Sequence, residues 1–269
     1  MGISNFLDTI IAGTRQRIAR VREQHPEEVI RDQAVEARRD ATRYTLRATL
    51  RNDIGIRVIA EFKRASPSKG SIRTNASPDQ IARAYEKGGA AAISVLTEEA
   101  HFLGSLDDLR SVRAVVKRPV LRKDFIIDDY QVYESAGAGA DALLLIVAAL
   151  TDEDLLRLRR LTEEELGMDA LVEVHTAEEL RRATDCGATL IGVNNRDLRT
   201  FDVSLDVSFK LATLAPKHTL LVSESGLRNR ADIQILQSHG YTGFLVGEML
   251  MRADDPEEAL RQMIRGTKK

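Results

Sequence analysis

Glu61 and Lys63 sit two residues apart at the end of an apolar run, Val58-Ile59-Ala60, that reads as a buried strand. At strand period they share one side of the sheet. A Ser66-Pro67-Ser68-Lys69-Gly70 loop follows at once. A carboxylate beside an amine, under a basic glycine-containing loop, can move protons on an anionic substrate. Taken alone, the segment reads first as a strand ending in surface charge. Four further segments have the same form. Lys123 closes Val120-Leu121-Arg122-Lys123, Glu173 closes Leu171-Val172-Glu173, and Asn194 closes Gly192-Val193-Asn194. Ser225-Gly226 follows Ser223-Glu224. Alternation places Leu121 and Lys123 on one face of their strand and Arg122 and Asp124 on the other. Two lysines, two carboxylates and an amide, each at the same end of a buried strand, make a catalytic cluster if one fold brings those ends together.

The chain supplies such a fold. Glycine-marked helix ends run into apolar strands four times: Gly89 into 92–96, Gly139 into 142–147, Gly187 into 190–194, and Gly240 into 243–247. A glycine is expected where a left-handed residue closes the last helical turn. These glycines recur about every 50 residues, roughly two strand-plus-helix units. Between them lie four more strand candidates, at 57–62, 119–124, 170–174 and 219–223. Helix-like segments separate them at 79–87, 152–166 and 177–184. Ser77-Pro78-Asp79, Thr151 and Thr176 carry N-terminal capping signals. Eight strands alternating with helices predict an α/β (β/α)8 barrel, a TIM barrel with its chemistry at the carboxyl ends of the strands. The rival is an open doubly wound sheet, which needs a glycine-rich turn between its first strand and a helix. Gly137-Ala138-Gly139 lies before a strand and after a helix, so it reads as a helix cap.

Residues 1–55 precede the barrel. Ile3, Phe6, Leu7, Ile10 and Ile11 are spaced for a helix, and Pro26 starts a second. We expect one domain over 1–269, with one or two extra helices in 1–55 packed on a barrel of 56–269. Phosphate in such barrels commonly rests on backbone N–H groups after strands seven and eight. Ser225-Gly226 and Gly247-Glu248 fall there. The Glu248 carboxylate would repel phosphate, so its N–H would serve while its side chain points away.

The 269 residues carry 39 basic and 41 acidic side chains, for a formal net charge of −2. That balance argues against a general nucleic-acid or anionic-membrane binder. One cysteine, Cys186, excludes an internal disulfide and suits a reducing compartment. The longest apolar run, 142–150, is too short to span a bilayer. The five histidines lack metal-ligand spacing. His175, two residues past Glu173, reads as a loop residue. A cytoplasmic protein with no metal and no cofactor is expected, as a monomer or weak homodimer.

In order along the chain stand Ala60-Glu61-Phe62-Lys63-Arg64-Ala65-Ser66-Pro67-Ser68-Lys69-Gly70, Lys123-Asp124-Phe125-Ile126, Val172-Glu173-Val174, Gly192-Val193-Asn194-Asn195-Arg196-Asp197-Leu198, Ser223-Glu224-Ser225-Gly226, and Phe244-Leu245-Val246-Gly247. Together they resemble the indole-3-glycerol phosphate synthase family of tryptophan biosynthesis, from Arg57 to Arg252. The resemblance implies closure of 1-(2-carboxyphenylamino)-1-deoxyribulose 5-phosphate to indole-3-glycerol phosphate, with loss of carbon dioxide and water. It implies Lys123 as general acid and Lys63 as a contact to the substrate carboxylate that gives a proton at dehydration. Glu173 would stabilise positive charge on the aniline nitrogen or act as base, and Glu61 would be the base for dehydration. Asn194 and Ser225 would orient the substrate. Ser66, Arg196, Gly226, Gly247 and Glu248 would line the substrate or phosphate site, and Phe125 and Leu145 would contact the aromatic ring. Asn195 and Glu248 stand at positions where the family varies. The competing readings are another phosphate-binding barrel, such as a phosphoribosyl isomerase, and an idle barrel that only binds. The mouth has lost no charged residue, against the idle reading, and two lysines do not suit the isomerase.

Overall fold

The computed structural model describes residues 5–51, 55–197 and 200–266; Ile3 and Leu198 lie outside them. Eight parallel strands close into a barrel. They are β1 (Val58–Phe62), β2 (Ala92–Leu96), β3 (Val120–Lys123), β4 (Ala142–Ile146), β5 (Asp169–Val174), β6 (Leu190–Asn194), β7 (Leu220–Glu224) and β8 (Tyr241–Val246). Each pairs with its neighbours in sequence, and β8 returns to β1 through Val58–Phe244 and Ala60–Val246. The predicted (β/α)8 architecture is therefore present. Gly89, Gly139, Gly187 and Gly240, which introduce the even strands, all have φ between 83° and 97°, a region that penalises any side chain. Thr151 and Thr176 cap their helices by accepting from Asp154 N and Glu179 N.

Three helices precede β1, where one or two were expected: α1 (Asn5–Gln24), α2 (Glu27–Arg38) and α3 (Thr45–Leu50). Pro26 is the N-cap residue of α2, as read. The third helix carries no capping signal. Its N-cap residue Tyr44 is left-handed and offers no side-chain bond. Instead Asp169 of β5 accepts from Leu46 N and Arg47 N at 2.9 and 3.0 Å. A partner far away in the sequence thus supplies the missing cap.

Registers around the barrel fix which interior side chains share a height. The lowest layer holds Ala92, Ala142, Leu190 and Gly243, mostly small. Leu46 and Leu50 of α3 fill the space below; a Cβ on Gly243 would lie 3.1 Å from Leu50. Above it come Ile59, Leu121, Leu171 and Val222, then Ser94, Leu144, Gly192 and Leu245. The next layer, taken wholly from odd strands, is Glu61, Lys123, Glu173 and Glu224. Barrels normally fill such a layer with branched apolar residues. Here it carries three carboxylates and an amine.

Outside the barrel a second apolar cluster packs the strands against the helices. Leu145 belongs to it and is fully buried there. The expectation that Leu145 touches substrate is thus corrected: its neighbours Leu144 and Ile146 point inward, and Leu145 faces the helices.

Candidate active site

A cavity of about 790 Å³ opens above the charged layer. Its floor is built by strand parity. Lys123 Nζ stands 3.2 Å from Glu173 Oε2 and 3.3 Å from Glu224 Oε2. Lys63, just past β1, turns back to Glu61 Oε1 at 2.6 Å. Asn194 Nδ2 donates to Glu173 Oε1 at 3.2 Å, while Asn194 Oδ1 accepts from Arg196 N. Two glycines make room for two carboxylates. A Cβ on Gly192 would come within 2.1 Å of Glu224 Oε1, and one on Gly247 within 2.3 Å of Glu61 Oε1.

Charge is distributed unevenly over this floor. Burial opposes the charge on Lys123, but Glu224, Glu173 and Glu61 outweigh it and lift its pKa above the ordinary lysine range. Burial also opposes the charge on Glu173, yet Lys123, His175 and Asn194 overcome that and hold it well below the usual carboxylate range. Glu224 goes the other way. Burial, reinforced by the charge on Glu173, outweighs Lys123 and pushes it up to about 7. Neither Glu224 oxygen forms a hydrogen bond among the described residues. A buried carboxyl left short of donors is costly, and such groups gather where chemistry is done.

The mouth is basic where the floor is acidic. Lys69, Arg196, Arg228 and Arg252 line its edge. Ser66 and Ser68 come from a short hairpin, Ala65–Ser66 paired with Gly70–Ser71. Arg196 Nη1 contacts Ser68 Oγ at 3.3 Å and Phe201 O at 3.1 Å, so the loops after β1 and β6 meet. Phe125 sits on the wall 6.4 Å from Phe102. Phe6 of α1 reaches over the mouth and meets His101 and Phe201 edge-on at 5.3 and 5.4 Å.

Ser225 and Gly226 both have positive φ, 64° and 79°. The left-handed conformation is a strained one for a serine. Asn195, on the outer face of β6, holds this turn: its Nδ2 donates to Ser223 Oγ, Glu224 O and Ser225 O at 3.0–3.1 Å. Glu248 begins a short helix, Glu248–Arg252, and turns its carboxylate along it to Arg252 Nε at 3.1 Å. Gly226, Gly247 and Glu248 all line the cavity.

Of the residues singled out in the sequence, Lys123, Glu173, Lys63, Glu61, Asn194, Ser225, Ser66, Phe125, Arg196, Gly226, Gly247 and Glu248 meet at this cavity, and Leu145 does not. Sequence reasoning missed Glu224 as a site residue. Phe6 was read only as part of a helix face.

Fold and site define an acid–base enzyme on a (β/α)8 barrel, with room for a mid-sized anionic substrate. Among solved structures it is similar to thiamine phosphate pyrophosphorylase from Pyrococcus furiosus (TM-score 0.59, 16% identity, covering 77% of this chain and 93% of that one). It is equally similar to KGPDC from Streptococcus mutans (TM-score 0.59, 13% identity, 77% and 95%). At these identities the likeness is one of fold. A model of indole-3-glycerol phosphate synthase matches residues 7–263. The synthase of Carboxydothermus hydrogenoformans is 47% identical over 263 residues, covering 96% of this chain and 99% of the relative. That of Mycolicibacterium vanbaalenii is 47% identical over 264 residues, covering 98% and 95%. That of Koribacter versatilis is 51% identical over 214, covering 80% and 82%. The chain belongs to the indole-3-glycerol phosphate synthase family.

Proposed function

We propose that this family member converts 1-(2-carboxyphenylamino)-1-deoxyribulose 5-phosphate to indole-3-glycerol phosphate, as a carboxy-lyase of tryptophan biosynthesis. The observation that carries the reading is Lys123 held between Glu173 and Glu224 in a layer that barrels normally fill with apolar side chains. Lys123 is protonated before substrate arrives and gives its proton to the ribulose carbonyl as the ring carbon attacks. Glu173 faces the positive charge that develops on the aniline nitrogen. After carbon dioxide leaves, Lys63 and Glu61, 2.6 Å apart, serve as acid and base for loss of water. Lys63 also receives the substrate carboxylate. Asn194 and Ser225 orient the substrate.

The aromatic ring lies against Phe125, with Leu144 in the role first given to Leu145. Phosphate binds at backbone N–H groups of Gly226, Gly247 and Glu248, with Ser66 and Arg196 closing the edge. The loop 64–73 closes over the bound molecule. The 1–55 extension and the 56–269 barrel work as one domain, and Phe6 brings the extension to the site. We place the protein in the cytoplasm as a monomer or weak homodimer. No described helix is long and apolar enough to cross a membrane.

The test is direct. Addition of the carboxyphenylamino substrate should produce indole fluorescence against a low background, since the chain contains no tryptophan. Absence of that signal from folded protein would overturn the reading.

A further inference from the structure

His175 lies outside the lining of the cavity, behind Glu173. Its Nε2 is buried, forms no hydrogen bond of good geometry among the described residues, and faces Glu173 Oε1 at 3.4 Å. Its Nδ1 stands 3.1 Å from Glu179 Oε2, and its backbone N–H donates to the same oxygen at 2.7 Å. Glu179 is fixed in turn. It lies in the first turn of the helix Ala177–Asp185, where its N–H donates to the N-cap Thr176 Oγ1 at 3.1 Å. The capping motif seen in the sequence therefore ends on a carboxylate that grips the imidazole. We propose that His175, gripped by Glu179, is a positioning residue that fixes the orientation and the negative charge of Glu173 opposite Lys123. The inference rests on the reading of the site given above.

The chemistry follows from counting donors. A neutral imidazole has one N–H and one lone pair. With a carboxylate at each ring nitrogen, either neutral tautomer turns a lone pair toward an anion. Only the imidazolium satisfies both sides. The charged groups facing it are Glu173 from β5 and Glu179 from the helix that follows, with Lys123 on the far oxygen of Glu173. Burial opposes the imidazolium, but hydrogen bonding and attraction from Glu173 and Glu179 prevail and raise its pKa to about 10. Glu173 is thereby flanked by two cations and an amide donor. It stays ionised across the neutral range and acts through its charge, while Glu224 is the carboxyl able to exchange a proton near neutrality.

Two measurements test this. In the folded wild-type protein, nitrogen-15 NMR of His175 should show an imidazolium with both nitrogens protonated at neutral pH. A neutral tautomer, or titration near its ordinary value of 6.5, would overturn the proposal. In kinetics, His175→Ala should lower kcat about 10- to 100-fold, the usual cost of removing a partner that orients a working ligand. KM should change by less than about threefold, because the loss falls on the step that Glu173 stabilises and not on substrate binding. A purely structural role would lower the melting temperature and leave kcat of the folded enzyme in place; that result overturns the proposal. If His175→Ala does not fold, Glu179→Gln must lower kcat in the same sense by less, and an unchanged kcat counts against it. Failure of the wild-type protein to turn over substrate defeats the functional reading; turnover with unchanged kcat in the variants defeats only the role of His175.

Discussion

Arg122 and Lys123 are neighbours on β3 and point to opposite sides of it, and each anchors a buried cluster of charges. Outside the barrel, Arg122 is satisfied at every nitrogen. It donates to Thr97 Oγ1, Gln131 O, Ser135 Oγ, Glu134 Oε2 and Asp124 Oδ2 at 2.9–3.3 Å. Asp124 accepts from Phe125 N, and Arg17 of α1 binds Glu134 through both of its terminal nitrogens. Inside the barrel, Lys123 reaches its carboxylates only at 3.2 and 3.3 Å, and Glu224 accepts no hydrogen bond among the described residues. The first cluster uses a guanidinium, whose fixed fork of donors suits a finished network. The second uses an ammonium, whose proton can leave. A complete network holds a structure in place, whereas an incomplete one keeps acid–base capacity for a substrate.

The contrast can be broken from either side. Lys123→Ala should reduce turnover by about a thousandfold, the range for loss of a general acid, with little change in melting temperature. Near-normal turnover would sink its assignment. Arg122→Met should do the reverse. It leaves Asp124 buried without its paired cation and Glu134 with Arg17 alone, at about 3 kcal/mol, or roughly 6–12 °C in Tm. A thermal melt within two or three degrees of wild type would show that the outer cluster is not structural.

Gly192→Ala probes the fit between them. Its Cβ would push Glu224 aside, and a misplacement of about 1 Å costs roughly 100-fold in rate. Stability should hardly change, because only the tip of a side chain must move. Unchanged kcat would separate Glu224 from the chemistry.

The smallest effect concerns pH, where the two clusters have opposite signs. Glu224 is raised from 4.5 to about 7, so the native state binds its proton more tightly and stability falls as pH rises between those values. Asp124 and Glu134 are lowered, despite burial, by Arg122 and Arg17. Their contribution is present above the unfolded values of 3.8 and 4.5 and is lost as pH falls through the folded ones. Glu224→Gln should therefore raise Tm at pH 8 and converge on wild type below pH 4.5. Glu134→Gln should lower Tm at pH 8. Equal shifts in both variants would remove the distinction.

Much of this was legible in the residues because periodicity carries orientation. The alternation Leu121, Lys123 against Arg122, Asp124 assigned both clusters of β3 to their faces. It failed in β4, where Ala142–Ile146 is apolar throughout and offers no contrast between faces, so Leu145 was taken for Leu144. Glu224 was hidden by company: Ser223, Glu224 and Ser225 are all polar, and only the register of the closed barrel shows which one enters it. The third helix escaped because its cap, Asp169, lies far along the chain. His175 escaped although Glu173 and Glu179 are two and four residues away, because the strand-to-helix turn that folds its ring back between them leaves no periodic signal.

The short helix beneath the barrel bears on how the chain is made. Leu46 and Leu50 leave the ribosome before any strand. Their socket requires Asp169 of β5 and Gly243 of β8, the last strand to emerge. Nearly the whole barrel must be synthesised before those two leucines can leave water, so sealing of the floor is a late event in biogenesis. Contacts of such long sequence separation slow folding. Until the final strand arrives, the nascent chain carries an unsatisfied apolar helix ahead of its strands, open to a chaperone.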